Sequence, residues 1–281
     1  MLRLRKDLMD RRKFLTVPLA ALAAPGALLA ANASASHAAT PALKGIGYSN
    51  STDLARAQIK MLNVAWHYNW EPYCNLTTPP WTPMVKNAKR LEEGAIAKIM
   101  SGLPQTQAKH LLGFNEPDHT AQANMSVDQA ISLWPQLQKT GLRLGSPAAV
   151  NPTSPWLSDF MAKAKNKGLR VDFMTMHRYA WPNVEDFLAN VTGLYEKYGK
   201  PIWVTEYAVA DWQASSTKPS RYSRATTEYF MKATVAEMRK MPYVERFAWK
   251  NRPITDPVMG NSALFDTRGW RTSTGKLYAS L

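Results

Sequence analysis

Leu111-Leu112-Gly113-Phe114-Asn115-Glu116-Pro117 is the stretch that decides how this 281-residue chain is read. Its first four residues are apolar or small and fit one short buried strand, while Asn115 and Pro117 are residues that end a strand in a turn. A carboxylate therefore stands where a strand gives way to a loop. A second stretch repeats the arrangement, with Ile202-Trp203-Val204-Thr205 running into Glu206 and Tyr207. Outward from these two, short apolar runs alternate with amphipathic segments of ten to twenty residues, the pattern of repeated βα units around a parallel sheet. The expected strands are 45–48, 64–67, 83–85, 111–114, 143–146, 173–176, 202–205 and 244–249. The expected helices are 52–61, 87–99, 126–140, 155–167, 184–198 and 221–241, with Ser126 and Gln129 fitting a capping box and Gly141 and Gly168 fitting C-caps.

Eight strands with intervening helices predict an α/β fold of one kind, a single (β/α)8 TIM barrel spanning residues 39–281, a length usual for that fold. The third strand is very short, and 71–81, with Pro72, Pro79 and Pro80, reads as a long loop. A doubly wound sheet is the alternative, and no Gly-rich phosphate loop follows the first strand to support it.

Residues 1–38 read as an export signal. Arg3, Arg5, Lys6, Arg11, Arg12 and Lys13 precede the small apolar run 17–30, and Ala33-Ser34-Ala35 or Ser36-His37-Ala38 supplies an A-x-A-like cleavage site. The run is short for a membrane span and contains Pro18 and Pro25. Arg11-Arg12 ahead of Phe14 and Leu15 resembles a twin-arginine signal, which implies a bacterial protein, secreted or periplasmic, with no membrane association after cleavage. The formal charge of +14 falls to about +10 without this segment. The remaining basic residues are scattered, as on solvated helix faces, and form no block of the nucleic-acid-binding type, so no nucleic-acid partner is expected. Cys74 is the single cysteine, which excludes an internal disulfide and a paired-cysteine zinc site. The five histidines show no metal-binding spacing, and neither metal nor cofactor is expected.

In a barrel the active site lies where the strands end. The expected fourth strand ends at Asn115-Glu116 and the seventh at Glu206-Tyr207; the second ends in His67-Tyr68-Asn69-Trp70, the sixth in His177-Arg178-Tyr179 and the eighth in Trp249-Lys250-Asn251. Two glutamates facing each other among Trp, Tyr, Asn and His are the equipment for cleaving a glycosidic bond: one carboxyl protonates the leaving oxygen and the other meets the anomeric carbon. Each residue also has a plainer reading. Asn115-Glu116-Pro117 could be only a turn, Glu206 an ion-pair partner, and His177 a packing residue. Trp66, Trp70, Trp181, Trp212 and Trp249 are candidate sugar platforms, with Trp70 and Trp249 preferred because they stand at strand ends.

These segments carry a more specific likeness. His67-Tyr68-Asn69-Trp70, the run from Leu112 through Asp118, the run from Trp203 through Ala208, Arg246-Phe247-Ala248-Trp249 and the tail Ser262 through Ala279 together resemble glycoside hydrolase family 128, the single-barrel β-1,3-glucanases. The resemblance implies a retaining enzyme that acts on β-1,3-glucan, with Glu116 as acid/base, Glu206 as nucleophile and Asn115 bonded to the sugar hydroxyl beside the scissile bond. Tyr68, Asn69, Trp70, His177, Tyr179 and Trp249 are the further candidate substrate contacts, and a monomer is expected. Arg178 and Lys250 depart from the expected pattern by placing cations at the mouth, which leaves open another glucan or wall polysaccharide as substrate, or a catalytically silent carbohydrate-binding barrel.

Overall fold

The computed structural model describes residues 42–49 and 52–281; the signal expected at 1–38 lies outside the described residues. Among the described residues seven strands form, β1 Leu43–Gly47, β2 Trp66–Tyr68, β3 His110–Leu111, β4 Arg143–Leu144, β5 Met174–Ala180, β6 Ile202–Val209 and β7 Val244–Trp249. All pair in parallel, in the order β2-β1-β7-β6-β5 with β3-β4 apart. Single parallel bridges link the two sets: His67 to Trp81, Met84 to Leu112, and Gly145 to Phe173. Backbone bonds accompany them, from Thr82 N–H to His67 O (2.9 Å), Leu112 N–H to Pro83 O (2.9 Å) and Ser146 N–H to Phe173 O (2.9 Å). Parallel pairing therefore continues around the ring of a (β/α)8 barrel.

The expected third strand at 83–85 is the main correction. It survives only as bridge positions, because Pro79, Pro80 and Pro83 have no N–H to give a ladder. The labels β3 to β7 are accordingly one lower than the expected strand numbers.

The helices are α1 Asp53–Met61, α2 Ala88–Glu92, α3 Ala95–Thr106, α4 Val127–Gln138, α5 Pro155–Asn166, α6 Val184–Tyr198, α7 Arg224–Met238 and α8 Ser273–Ser280. Ser126 Oγ accepts from Gln129 N–H at 3.1 Å, as the capping reading requires, and Gly141 and Gly168 have φ of 70° and 62°. The helix expected at 87–99 is broken at Gly94 (φ 78°), and its second half runs on to Thr106. Helix α8 was not expected. No helix among the described residues is long and apolar enough to cross a membrane.

Two layers of core result. Trp66, Tyr68, Met84, Leu112, Phe173, Trp203 and Ala248 form one buried cluster. Trp66 of β2 meets Trp203 of β6 at 5.3 Å between ring centroids although these strands are not neighbours, so this cluster fills the inside of the barrel. The larger cluster, with Val204, Tyr207, Phe247 and Trp249, packs between strands and helices.

Strand alternation places Trp203 inside and Val204 outside. Then β6 slips by one residue: Met176 pairs with Val204, but the next residue, His177, pairs with Glu206. Thr205 is the extra residue of a β-bulge, a device that re-aims side chains. Beyond it Glu206 faces inward with His177, and Tyr207 joins the outer core.

Candidate active site

Glu116 is set by the crossing of two strand extensions. Asn115 bridges Ala148 in parallel, and Glu116 N–H donates to Ala148 O at 2.7 Å. Gly113 permits this approach, because a Cβ there would lie 2.9 Å from Gly145 O and from the Trp134 ring. Glu116 itself adopts φ 44°, a left-handed conformation that costs a non-glycine residue on the order of 1–3 kcal/mol and is kept where neighbours enforce it. Its side chain is buried, with Oε1 2.8 Å from His177 Nδ1.

Glu206 is 3% exposed and surrounded by donors. Oε1 accepts from Tyr68 Oη–H (2.9 Å) and Trp70 Nε1–H (2.7 Å) and lies 3.4 Å from His177 Nε2. Oε2 accepts from the Tyr179 hydroxyl and from Lys250 Nζ at 2.9 Å. Burial alone would push this carboxyl up. Interaction with His177 and with the Lys250 ammonium, together with the Lys250 and Tyr179 hydrogen bonds, outweighs burial and holds it well below the usual carboxylate range. Burial first, then the charge of Glu206, pushes the phenols of Tyr68 and Tyr179 well above theirs, so both remain donors.

His177 is fully buried beneath both glutamates. One of its nitrogens and one oxygen from each carboxylate all lie within 4.8 Å of one another. That trio has the donor set of a cation site as well; here Lys250 brings positive charge to the outer oxygen of Glu206. The spacing matters for chemistry, since carboxyls about 5–5.5 Å apart suit direct attack on the anomeric carbon and wider pairs leave room for a water.

Above the pair opens a cleft of about 1330 Å³, larger than most small-molecule sites and suited to an extended ligand. Asn115, Glu116, Trp70, Tyr179, Glu206 and Lys250 line it. Asn115 Nδ2 donates to Gln122 Oε1 (3.3 Å), while its buried Oδ1 has no protein partner among the described residues. Trp70, at φ 59°, carries the Lys250 ammonium 4.2 Å from its ring centroid. Asn69 reaches the cleft wall, but its amide holds the 69–81 loop, donating to Tyr73 O and accepting from Trp81 Nε1–H. Tyr68 is wholly buried and reaches the site through Glu206.

Trp249 lies elsewhere. It is fully buried in the outer core against Tyr207, and its Nε1–H donates to Ser262 O at 2.9 Å, so it offers no face to the cleft. Alternation along β7 explains this: Ala248 points inward, Trp249 outward, and Lys250 inward again. Lys250, only a cation near the mouth in the sequence, is thus a direct partner of Glu206. Arg178 lines the cleft with its charge bound to Asp186 of α6 at 2.7 Å.

Residues 45–278 match the model of the glycosyl hydrolase catalytic core family. A crystal structure of a family 128, subgroup I endo-β-1,3-glucanase from Amycolatopsis mediterranei, in complex with laminaripentaose, is 31% identical, with a TM-score of 0.73, over 84% of this chain and 98% of that one. A subgroup II endo-β-1,3-glucanase from Sorangium cellulosum is 29% identical with a TM-score of 0.68, over 85% and 98%. Alkali-sensitive linkage protein 1 of Schizosaccharomyces pombe is 27% identical over 252 residues, which are 84% of this chain and 44% of that protein, so the chain spans less than half of that relative's length. With the fold, the match across nearly the whole barrel and the paired carboxylates in agreement, the chain belongs to the glycosyl hydrolase catalytic core family and, within it, to glycoside hydrolase family 128.

Proposed function

We propose that this protein is an exported, monomeric, retaining glycoside hydrolase that cleaves β-1,3-glucan by double displacement. The observation that carries the reading is the contrast between two carboxylates whose nearest oxygens lie within 4.8 Å: Glu206 is held ionised by four donors, while the Glu116 carboxylate meets only His177 among the described residues and faces the cleft. Similarity to endo-β-1,3-glucanases crystallised with laminari-oligosaccharides supports the substrate and endo action. The signal expected at 1–38 supports export by the twin-arginine route.

In the first step Glu116 gives its proton to the glycosidic oxygen as the Glu206 carboxylate attacks the anomeric carbon; the bond to the leaving sugar breaks and a glycosyl ester forms. In the second, the Glu116 carboxylate takes a proton from water, the water oxygen bonds to the anomeric carbon, and Glu206 leaves as a carboxylate. Configuration is retained and both glutamates return to their starting states. His177, between the two, fixes their separation; Asn115 Oδ1 is free to accept from a sugar hydroxyl, and Trp70 and Tyr179 wall the sugar nearest the nucleophile.

Proton NMR of the anomer first released from laminarihexaose tests this directly. The β-anomer is expected, and an initial α-anomer overturns the nucleophile assignment. Binding of laminarihexaose without any turnover would instead identify a silent carbohydrate-binding barrel.

A further inference from the structure

Outside the cleft, on the wall where β5 passes into α6, large aromatic side chains gather in water. Trp181 is 52% exposed, and Tyr229 on α7 is 70% exposed. With the half-buried Tyr222 they border a depression of about 520 Å³ that also reaches Asn183 and Glu185. Single exposed aromatics are ordinary, but several around one hollow mark a binding surface.

The cations beside the hollow are already matched. The Arg178 guanidinium lies 5.9 Å from the Trp181 ring centroid and bonds Asp186; that of Arg221 lies 5.3 Å from the Tyr222 ring and bonds Asp211. What remains is flat apolar rings flanked by an amide and a carboxylate. That combination suits a neutral sugar, whose C–H faces pack on aromatic rings while its hydroxyls bond the polar groups.

The hollow also adjoins the cleft. Arg178, which holds Trp181, lines the cleft as well. Trp212, 64% exposed, lines the cleft and donates from Nε1–H to Tyr179 O at 3.0 Å, two residues before Trp181. Ala210 N–H donates to Ala180 O at 2.9 Å, fastening the two chain segments that carry these tryptophans. Exposed aromatic rings thus lead from the lip of the cleft onto the outer wall.

We propose that Trp181, Tyr222 and Tyr229 form a second polysaccharide-binding site, which holds a neutral glucan chain on the barrel wall while another stretch of the polymer occupies the cleft. The site rests on the reading of the cleft as glucan-cleaving. Its consequence is that long or insoluble polymer is gripped at two places and a short oligosaccharide at one.

The test compares the parent with Trp181→Ala, Tyr229→Ala and the double variant. Binding to insoluble curdlan is measured by sedimentation in a Glu206→Gln background, which leaves the polymer intact, and kcat/KM is measured on soluble laminaripentaose in the active background. The double variant is expected to bind curdlan at least about tenfold more weakly, a loss of about 1.4 kcal/mol, with pentaose turnover within about twofold of the parent. Unchanged curdlan binding overturns the site, and so does a parallel fall in pentaose turnover, which would assign the rings to the cleft. A parent that cleaves pentaose but does not bind curdlan refutes the wall site alone; a parent that does neither refutes the glucan reading with it. Should Trp181→Ala lower the melting temperature, Tyr229→Ala alone decides, since the exposed Tyr229 ring can be removed without opening the core.

Discussion

Replacing Lys250 with methionine removes one positive charge from beside Glu206, the proposed nucleophile, and keeps the length of the side chain. The ammonium is 2.9 Å from Glu206 Oε2, with both side chains largely shielded from water. At an effective dielectric near 20, unit charges at that distance attract by roughly 6 kcal/mol, a gross figure from which the cost of drying the ammonium must be taken. Tyr68, Trp70, Tyr179 and His177 remain on the carboxylate, so the net loss should be that of one hydrogen bond to a charged group, about 1.5–3 kcal/mol. The timing of that loss is the informative part. When the glycosyl ester forms, the charge on Glu206 disappears and Lys250 gains nothing; when the ester breaks, the carboxylate is the leaving group and Lys250 stabilises it. The second step should therefore slow by about ten- to a hundredfold, while the first changes less. On an aryl β-glucoside with a good leaving group, stopped-flow absorbance should reveal a burst of aryl alcohol that the parent lacks. Because Lys250 favours the ionised form, the acid limb of kcat/KM should also move to higher pH, and Lys250→Arg should restore it. An acid limb that stays in place in Lys250→Met would refute the argument that this ammonium keeps Glu206 ionised.

Glu116→Gln and Glu206→Gln should each lower turnover of laminarihexaose by well over a hundredfold in a reducing-sugar assay, since in the proposed double displacement each removes a group that forms or breaks a bond. Trp249→Phe should lower stability by about 1–3 kcal/mol in a denaturant melt and leave KM unchanged, because the ring packs in the outer core and bonds Ser262; a raised KM would return Trp249 to the substrate. Gly45→Ala should destabilise by about 1–3 kcal/mol or more, as a Cβ would meet the Trp66 ring at 2.2 Å; thermal unfolding measures it. Burial lowers the pKa of His67 to about 4, against which its bonds to the Leu76 and Pro79 carbonyls work only in part. The unfolded chain takes up this proton near pH 6.5 and the folded one resists until about 4, so stability should fall across that window on acidification. Melting temperatures between pH 7 and 4 should decline less steeply in His67→Gln.

The barrel was legible because buried parallel strands write themselves as short apolar runs and because their ends carry the unusual residues. Glu116 and Glu206 could be found that way: each follows a strand too apolar to tolerate a carboxylate for packing alone. Less legible was whatever depended on parity or on missing donors. Trp249 reads as a platform because it stands at a strand end, yet counting alternate residues from Ala248 puts it under the helices and turns Lys250 toward Glu206. The stave at 83–85 could not be sized, since prolines spoil a ladder without removing its place in the ring. Helix α8 went unseen because Ser273, Thr274 and Gly275 are weak helix formers; its start rests on Thr272, whose hydroxyl accepts from Gly275 N–H at 3.0 Å. The four-donor shell of Glu206 is drawn from three separate segments and has no linear signature at all.

The bulge at Thr205 makes the identity of the inward side chain a matter of counting. Tyr68 holds the Thr205 carbonyl by its hydroxyl at 3.0 Å, and the Thr205 hydroxyl donates to Met176 O at 3.4 Å, so the slip is pinned from both sides. Closing the bulge without removing a residue would set Thr205 opposite His177 and turn the Glu206 carboxylate under the helices, with every chemical group of the site still in the chain, whereas deleting Thr205 would keep Glu206 opposite His177 in an unbroken register. What aims the carboxylate is therefore a pair of bonds to main-chain carbonyls, those of Thr205 and Met176, so its direction is a property of the register of β6 and of nothing in Glu206 itself.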